Sequence, residues 1–352
     1  MEVLRLSKAN RDLRGIISLD GSKSLSNRAL IILTLAGADP AEWLQRLSSA
    51  KDTQILQRLL HQTSGAFDAG DAGTTFRFIT AWLALQPGHQ ILTGSARMRQ
   101  RPVGALVQAL RELGADIQYL EQEGYPPLRI GEWSWAGNPA GAVRVHAGTS
   151  SQFLSALLMI GPCLPNGLQL IPEGPLVSRP YLDMTIHLMR YFGASVTWQG
   201  NTIVVHPGAY TPRRLVIEAD WSAASYWYGL AAFADHVDLT LEGLFTNSWQ
   251  GDSILITMME HFGIETFPAT GVRGDTAVRL QKKPTAALAP FTWNFQDCPD
   301  IAQTLAVVCG GLGMPGEFTG LSTLAVKETD RIAALQQELG KVGVLFERQP
   351  AS

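Results

Sequence analysis

The sequence lacks the features that mark secreted, metal-binding and nucleic-acid-binding proteins. Its 352 residues include three cysteines, and neither a CxxC nor an HExxH pattern occurs. An odd number of cysteines without paired spacing predicts free thiols in a reducing compartment, and the missing patterns give a metal site little support. The net charge of −3 gives no reason to expect a nucleic-acid partner or an acidic membrane surface.

Long apolar runs are also missing. No stretch reaches the roughly 18 apolar residues of a membrane span, and the first residues lack the basic and apolar regions of a signal peptide. We therefore expect a cytoplasmic protein without membrane association. Because 46% of its residues are hydrophobic and 17% are charged, the chain is able to bury a large core in about two or three domains.

The most informative stretch is GSKSLSNR at residues 21–28. It lies between apolar runs at 16–19 and 29–33, which predicts a strand, a loop of small residues and then a helix. Backbone N–H groups at a helix start attract anions, and Lys23 and Arg28 add two cations. The alternative is a serine-capped helix with two solvated charges, because serine is a preferred N-cap.

Similar polar helix starts recur along the chain. Taken singly, each reads as an ordinary Ser, Thr or Asp cap. If they converge, they form a basin of hydroxyls, N–H groups and cations that suits a ligand with several negative charges. They lie at residues 71–77, 149–152, 178–183, 220–225, 297–300 and 326–331.

An internal repeat joins an amphipathic helix, a glycine and a strand. The glycines are Gly114, Gly193, Gly263 and Gly343, at intervals of 79, 70 and 80 residues, and each is predicted to cap its helix in the left-handed conformation. A period this long indicates a repeated α/β unit. The first three copies continue into a second strand, whereas the fourth offers one predicted strand at 344–347. We therefore expect an incomplete last unit and a chain truncated relative to its parent fold.

Eight stretches, in order and over nearly the whole chain, resemble the 5-enolpyruvylshikimate-3-phosphate (EPSP) synthase family. The resemblance implies an α/β (α+β) fold of two lobes built from repeated βαβαββ-type units. In this chain, residues 1–20 and 219–352 would form lobe one, and residues 21–218 lobe two. The matching stretches are GSKSLSNRA at 21–29, DAGTTFR at 71–77, RPVGALVQALRELGA at 101–115, SSQFLSALLM at 150–159, SRPYLDMT at 178–185, EADWSAASY at 218–226, PDIAQTLAV at 299–307 and VKETDRIAAL at 326–335.

The resemblance also implies an activity: transfer of the enolpyruvyl group of phosphoenolpyruvate to the 5-hydroxyl of shikimate 3-phosphate, with release of phosphate. This reaction belongs to the shikimate pathway of aromatic amino acid biosynthesis. The family uses two small-molecule substrates and neither a metal nor an organic cofactor, and we expect a monomer without nucleic-acid partners.

Site residues follow from the family's motifs. Those that match its shikimate 3-phosphate ligands are Lys23, Ser24, Arg28, Ser150, Ser151, Gln152, Ser178, Tyr181, Asp300 and Lys327. Those that match its phosphoenolpyruvate ligands are Lys23, Gly73, Arg101, Gln152 and Arg331.

Proton transfer needs a group for the substrate hydroxyl and one for the methylene carbon. Asp300 is the candidate for the hydroxyl, and Glu328 and Lys23 are the candidates for the proton added to carbon and later removed. Thr323 is a further candidate ligand, at a position where Asn is frequent in the family. Asp71 and Phe78 also depart from the usual Asn and Pro. The family's later Asp-His-Arg-Met-Ala motif and a still later lysine are missing, which agrees with the expected truncation.

Two other functions remain open at this point. The first is a non-catalytic fragment that binds only shikimate 3-phosphate, since most of the retained residues serve that ligand. A UDP-N-acetylglucosamine enolpyruvyl transferase would share the fold. It would normally carry Lys-Asn after the first strand and a reactive cysteine in a loop, whereas here Lys23 precedes Ser24 and residues 94–101 contain no cysteine.

Overall fold

A computed structural model describes residues 8, 10–134, 141–146, 148, 150–272, 274–283, 289–327 and 329–349. Its strands are β1 Asp12–Ser18, β2 Leu44–Gln45, β3 Phe67–Asp68, β4 Gln90–Thr93, β5 Ile117–Tyr119, β6 Leu128–Ile130, β7 Ala142–His146, β8 Leu168–Glu173, β9 Val196–Gln199, β10 Thr202–Val205, β11 Leu215–Val216, β12 His236–Glu242, β13 Ile264–Thr270, β14 Thr276–Lys282, β15 Phe291–Asn294 and β16 Gly316–Thr319.

Helices alternate with these strands. The α-helices are α1 Lys23–Leu35, α2 Pro40–Trp43, α3 Lys51–Leu60, α4 Gly73–Ala84, α5 Ala96–Arg99, α6 Gly104–Leu113, α7 Ser151–Ile160, α8 Arg179–Tyr191, α9 Trp221–Phe233, α10 Leu255–Glu260, α11 Ala302–Gly311 and α12 Arg331–Gly340. Short 3₁₀ helices lie at Gly161–Cys163, Gly251–Ile254, Pro299–Ile301 and Ser322–Val326. Within the described ranges, no helix combines the length and the apolar character needed to cross a membrane.

Three four-stranded sheets share one topology. Their strand orders are β3-β4-β6-β5, β7-β8-β10-β9 and β1-β12-β14-β13. In each, the first two strands are parallel, and the remaining two form an antiparallel hairpin against the second. Helices lie in the connections between the parallel strands, as α4 does between β3 and β4 and α7 between β7 and β8. The repeated βαβαββ unit predicted from the sequence is therefore confirmed.

The four glycines of the repeat adopt the predicted left-handed conformation, but of the four only Gly114 is itself the C-cap of its helix. Gly114, Gly193, Gly263 and Gly343 have φ values of 112°, 91°, 75° and 80°. A side chain is strained in this left-handed region, so glycine lets the chain reverse after a helix without a steric cost. Gly193 directly follows the C-cap Phe192, and Gly263 and Gly343 lie two residues beyond the C-caps His261 and Lys341.

The predicted strand at 344–347 is wrong. In the fourth unit β15 and β16 pair in parallel and α12 follows, but residues 341–349 form no strand. Strand residues need a neighbour for their backbone N–H and C=O groups, and none lies beside this segment in the described chain. Leu345 is 80% exposed there.

Buried apolar side chains form two separate clusters. One contains residues from Leu25 to Ile217, and the other contains Leu19 with residues from Ala219 to Leu324. We propose that these clusters are the cores of two lobes with the boundaries expected from the sequence.

The two chain segments that pass between these clusters are hydrogen-bonded to each other. Ser22 N donates to Glu218 O at 2.8 Å, and Asp220 N donates to Asp20 O at 3.0 Å. This pairing brings the starts of α1 and α9 side by side, although they are about 200 residues apart in the sequence.

Candidate active site

Seven helix starts converge on one cavity of about 990 Å³. They are the N-termini of α1, α4, α7, α8, α9 and α12 and the 3₁₀ turn before α11, so the convergence that the sequence suggested is confirmed. Six cations and four acids line the cavity: Lys23, Arg28, Arg77, Arg101, Lys327 and Arg331, with Asp20, Asp220, Asp300 and Glu338. Cations and helix N-termini together favour an anionic ligand.

The start of α1 is fixed by two caps. Ser22 Oγ accepts from Leu25 N at 3.4 Å, and the Asp220 carboxylate accepts from Lys23 N at 3.1 Å. Asp220 also caps its own helix by accepting from Ala223 N at 3.0 Å. Lys23 is therefore held at the backbone while its side chain stays 42% exposed, 4.0 Å from the Asp52 carboxylate.

Arg28 is 1% exposed and braced on several sides. Its nitrogens donate to Thr185 Oγ1 at 2.7 Å, Ser24 O at 2.9 Å and Ser155 Oγ at 3.2 Å. Its guanidinium carbon lies 5.3 Å from the centre of the Phe78 ring. Burial lowers the pKa of Arg28 to about 10. The group still carries its charge near neutral pH, and its orientation is set before any ligand arrives.

Gly73, the first residue of α4, lies against Arg101. A Cβ atom at this position would be 2.3 Å from Arg101 Nη1, far inside normal contact. Arg101 is 6% exposed and lines the cavity. Gly73 itself does not line the cavity, but its lack of a side chain leaves space for the guanidinium of Arg101, which does.

The starts of α7 and α4 are linked. Ser150 Oγ accepts from Gln152 N at 3.2 Å, and Gln152 Nε2 donates to Thr74 Oγ1 at 2.9 Å. The side chains on these two helices therefore occupy fixed positions relative to each other within the cavity wall.

Ser178 has an unusual backbone conformation for a residue with a side chain, with φ 59° and ψ 42°. This left-handed conformation costs on the order of 1–3 kcal/mol and needs support from its surroundings. Ser178 N donates to Gln296 O at 3.0 Å, and the Ser178 hydroxyl does not cap its own helix. The Ser178 hydroxyl is therefore available to a ligand in the cavity.

Asp300 ties three side chains together. Its Oδ2 accepts from Tyr181 OH at 2.8 Å, and its Oδ1 lies 2.8 Å from Arg331 Nη1 and 3.2 Å from Lys327 Nζ. Burial works to raise the pKa of Asp300, but Lys327 and Arg331 outweigh it and hold the pKa well below its usual range. Burial and nearby carboxylates raise the pKa of Tyr181 well above its usual value. Asp300 is therefore charged and Tyr181 neutral near pH 7.

The cavity collects nearly every residue expected from the sequence. Those that line it are Lys23, Ser24, Arg28, Arg101, Ser150, Ser151, Gln152, Ser178, Tyr181, Asp300, Thr323, Lys327 and Arg331. Gly73 contributes through Arg101. Glu328 lies outside the described residues.

Sequence reasoning missed several lining residues, among them Asp20, Ser48, Ser49, Arg77, Ser222 and Gln303. The Asp20 carboxylate accepts from Ser49 N at 2.7 Å and from Ser49 Oγ at 2.8 Å. Ser222 was visible as part of the EADWSAASY stretch, whereas the loop at 48–49 carries no pattern that sets it apart.

The described residues contain no group of three His, Cys, Asp or Glu side chains that could hold a metal ion. The cavity wall instead offers hydroxyls, amides and cations, the donor types that bind phosphate and carboxylate.

Known proteins share this fold. The structure of EPSP synthase from Acinetobacter baumannii superposes with a TM-score of 0.72 at 20% identity, covering 94% of this chain and 78% of that one. The enolpyruvyl transferase NikO from Streptomyces tendae superposes with a TM-score of 0.60 at 14% identity, covering 86% and 73%. At these identities the comparison establishes the two-lobed enolpyruvyl transferase fold alone.

The sequence comparisons establish the family. The family model described as EPSP synthase (3-phosphoshikimate 1-carboxyvinyltransferase) matches residues 37–351. A 3-phosphoshikimate 1-carboxyvinyltransferase from Bacteroides fragilis is 44% identical over 345 residues, covering 97% of this chain and 81% of the relative. One from Cellvibrio japonicus is 36% identical, covering 95% and 82%. The chain belongs to the EPSP synthase family.

Proposed function

We propose that this protein transfers the enolpyruvyl group of phosphoenolpyruvate to the 5-hydroxyl of shikimate 3-phosphate and releases phosphate. The observation that carries the proposal is the cavity in which, among the residues that the structure describes, seven helix starts and six cations converge. Each substrate carries one phosphate and one carboxylate, so the closed site has to hold several negative charges side by side. A wall of N–H groups and cations stabilises that arrangement.

Shikimate 3-phosphate is assigned to the wall built by α1, α7 and α8 and completed by Asp300 and Lys327. The braced Arg28 offers a preorganised cation there, since three of its N–H groups are already held by the protein. Preorganisation lowers the entropy lost on binding.

Phosphoenolpyruvate is assigned to the neighbouring wall with Lys23, Arg101 and Arg331. Gly73 sets the position of Arg101, and the bond from Gln152 to Thr74 joins this wall to the first. Lys23 is the group shared by both substrates, because its ammonium is 42% exposed and lies as far as 4.0 Å from the Asp52 carboxylate, so it is able to turn towards two anions.

The reaction adds the 5-hydroxyl oxygen to C2 of phosphoenolpyruvate while C3 gains a proton. Phosphate then leaves as C3 loses a proton. We assign Asp300 to the hydroxyl proton and Lys23 with Glu328 to the proton on C3. Asp300 Oδ2 accepts one bond from Tyr181 OH, which leaves its second lone pair for the substrate hydroxyl. Anionic substrates also neutralise Lys327 and Arg331, which raises the basicity of Asp300.

We further propose that the protein acts as a cytoplasmic monomer. Cys163, Cys298 and Cys309 are free thiols, which suits a reducing compartment.

Phosphate release tests the proposal. We expect release only when both substrates are present, and no release when UDP-N-acetylglucosamine replaces shikimate 3-phosphate. Calorimetry with shikimate 3-phosphate alone should show binding. Binding without turnover would reduce the protein to a shikimate 3-phosphate-binding protein, and turnover with the UDP-sugar would assign it to the other transferase.

A further inference from the structure

A buried carboxyl lies behind the cavity wall and has no part in the function proposed above. Asp252, in the 3₁₀ helix Gly251–Ile254, is 4% exposed, and its Oδ2 atom accepts a hydrogen bond from Ser222 Oγ. Its Oδ1 atom is buried and has no hydrogen-bond partner among the residues that the structure describes. Ser222 lines the cavity, whereas Asp252 does not. The carboxyl therefore reaches the ligand space only through the serine hydroxyl.

The segment that carries Asp252 is fixed against the start of α9. Gln250 Oε1 accepts from Trp221 N at 3.3 Å, and Gln250 Nε2 donates to Ala219 O at 2.8 Å. A Cβ atom at Gly251 would lie 2.4 Å from Pro180 Cβ in the first turn of α8. These contacts leave Asp252 little freedom to turn towards water.

Burial, and then the charge of Asp300, raise the pKa of Asp252 to about 7, and the hydrogen bond from Ser222 opposes the shift. Two carboxyls close together in a poorly solvated site do not both ionise easily. Asp300 keeps its charge through Lys327 and Arg331, so the proton resides on Asp252. The titratable groups that face Asp252 are Asp220, Asp300, Lys327, Tyr181 and Cys298.

We propose that Asp252 is a positioning residue that sets the direction of the Ser222 hydroxyl hydrogen and thereby the affinity for shikimate 3-phosphate. The proposal rests on the function proposed above. A hydroxyl has one hydrogen to donate. When Asp252 is protonated, its O–H donates to Ser222 Oγ, and the serine hydrogen is available to the anion. When Asp252 is ionised, Ser222 donates to it and offers the anion only lone pairs.

Shikimate 3-phosphate is the affected substrate because the neighbours of Asp252 are its assigned ligands. Tyr181, Asp300 and Lys327 all interact electrostatically with Asp252, and all three belong to the shikimate 3-phosphate wall. We therefore expect the ionisation of Asp252 to change the affinity for shikimate 3-phosphate and to leave the affinity for phosphoenolpyruvate unchanged.

The size of the effect follows from linkage between proton and ligand binding. If binding requires protonated Asp252, the dissociation constant rises tenfold per pH unit above the pKa of that group. Between about pH 6.5 and about pH 8.5, a group with a pKa near 7 weakens binding about 25-fold. The substrate phosphate also titrates, with a second pKa near 6, but that contribution is common to every variant.

The test is calorimetric titration of shikimate 3-phosphate across this pH range with four proteins. The wild type should show this loss of about 25-fold. Asp252→Asn should bind with nearly constant affinity, because its amide always donates to Ser222. Ser222→Ala should bind weakly at both ends of the range. Glu218→Gln is the matched control, since Glu218 is a buried carboxyl with a raised pKa that does not line the cavity; it should keep the wild-type pH profile.

A second readout does not depend on the substrate. Infrared difference spectra between acidic and alkaline samples should contain a protonated carboxyl band that titrates near neutral pH and vanishes in Asp252→Asn. If the band is missing from the wild type, or if Asp252→Asn keeps the wild-type pH profile of binding, the inference is wrong. Normal binding and turnover with a flat wild-type profile would overturn the inference alone, whereas a wild type that binds neither substrate would overturn the proposed function as well.

Discussion

Replacing Gly73 by alanine should weaken the binding of phosphoenolpyruvate and leave the binding of shikimate 3-phosphate nearly unchanged. The new methyl group would lie 2.3 Å from Arg101 Nη1, whereas ordinary contact begins at 3.4 Å, so the guanidinium has to move by about 1 Å. Arg101 is 6% exposed, and a shift of that size would break the charge-assisted hydrogen bond that we propose it makes to phosphoenolpyruvate. Such a bond is worth about 1.5–3 kcal/mol, or about 10- to 150-fold in affinity.

The assay is steady-state kinetics with each substrate varied in turn, with calorimetry for shikimate 3-phosphate. We expect the KM for phosphoenolpyruvate to rise about 10- to 150-fold and the affinity for shikimate 3-phosphate to stay within about threefold. Gly208→Ala is the matched control, because a Cβ atom there meets nothing within 4 Å. An unchanged KM for phosphoenolpyruvate in Gly73→Ala would refute the role assigned to Arg101.

Four further substitutions test single parts of the site. Lys23→Ala should abolish turnover and weaken both substrates by at least about 2–3 kcal/mol, measured by calorimetry against the exposed control Lys283→Ala. Asp300→Asn should lower kcat about 100- to 10,000-fold with a smaller change in shikimate 3-phosphate affinity; a loss below tenfold would leave Asp300 with a purely structural role. Tyr181→Phe should weaken the binding of shikimate 3-phosphate by about 1 kcal/mol and leave the KM for phosphoenolpyruvate unchanged. Asp220→Ala removes caps from two helix starts and should cost about 1–2 kcal/mol of unfolding free energy in urea titrations.

The acid stability of the protein should also depend on Asp300. Its pKa is held well below the usual range in the folded protein, so it contributes stability above the unfolded pKa of about 3.9. That contribution is lost as the pH falls towards the folded pKa. The stability difference between wild type and Asp300→Asn, measured by urea unfolding, should therefore shrink as the pH falls from neutral to about 3. A constant difference would contradict the charge pairing described here.

Local signals explain why the helix starts were predictable. Serine or aspartate before an apolar helical run is a cap whose hydrogen bonds lie within three residues, as at Ser22, Ser150 and Asp220. Glycines such as Gly114 mark helix ends because a side chain is strained in their conformation. The EPSP synthase resemblance then added the assignment of substrates, which no spacing in the sequence supplies.

The missed features depend on distant contacts. Ser222 and Asp252 meet across 30 residues, and Ser49 reaches Asp20 across 29. Neither pair lies within one sequence motif, so the contact between its two residues could not be predicted from a local pattern. The prediction of a strand at 344–347 is wrong although the sequence there is suitable for a strand. A strand needs a partner strand, and residues 341–349 have none in the described chain.

The central claim is that one cavity carries out enolpyruvyl transfer between two anionic substrates. Its most direct test is NMR of a mixture of both substrates with the wild-type protein. Phosphorus spectra should show inorganic phosphate appearing as phosphoenolpyruvate disappears, and proton spectra should show an equal amount of an enol ether at the 5-position of shikimate 3-phosphate. Phosphate without the ether, or an unchanged mixture in the presence of folded protein that binds both substrates, would contradict the account.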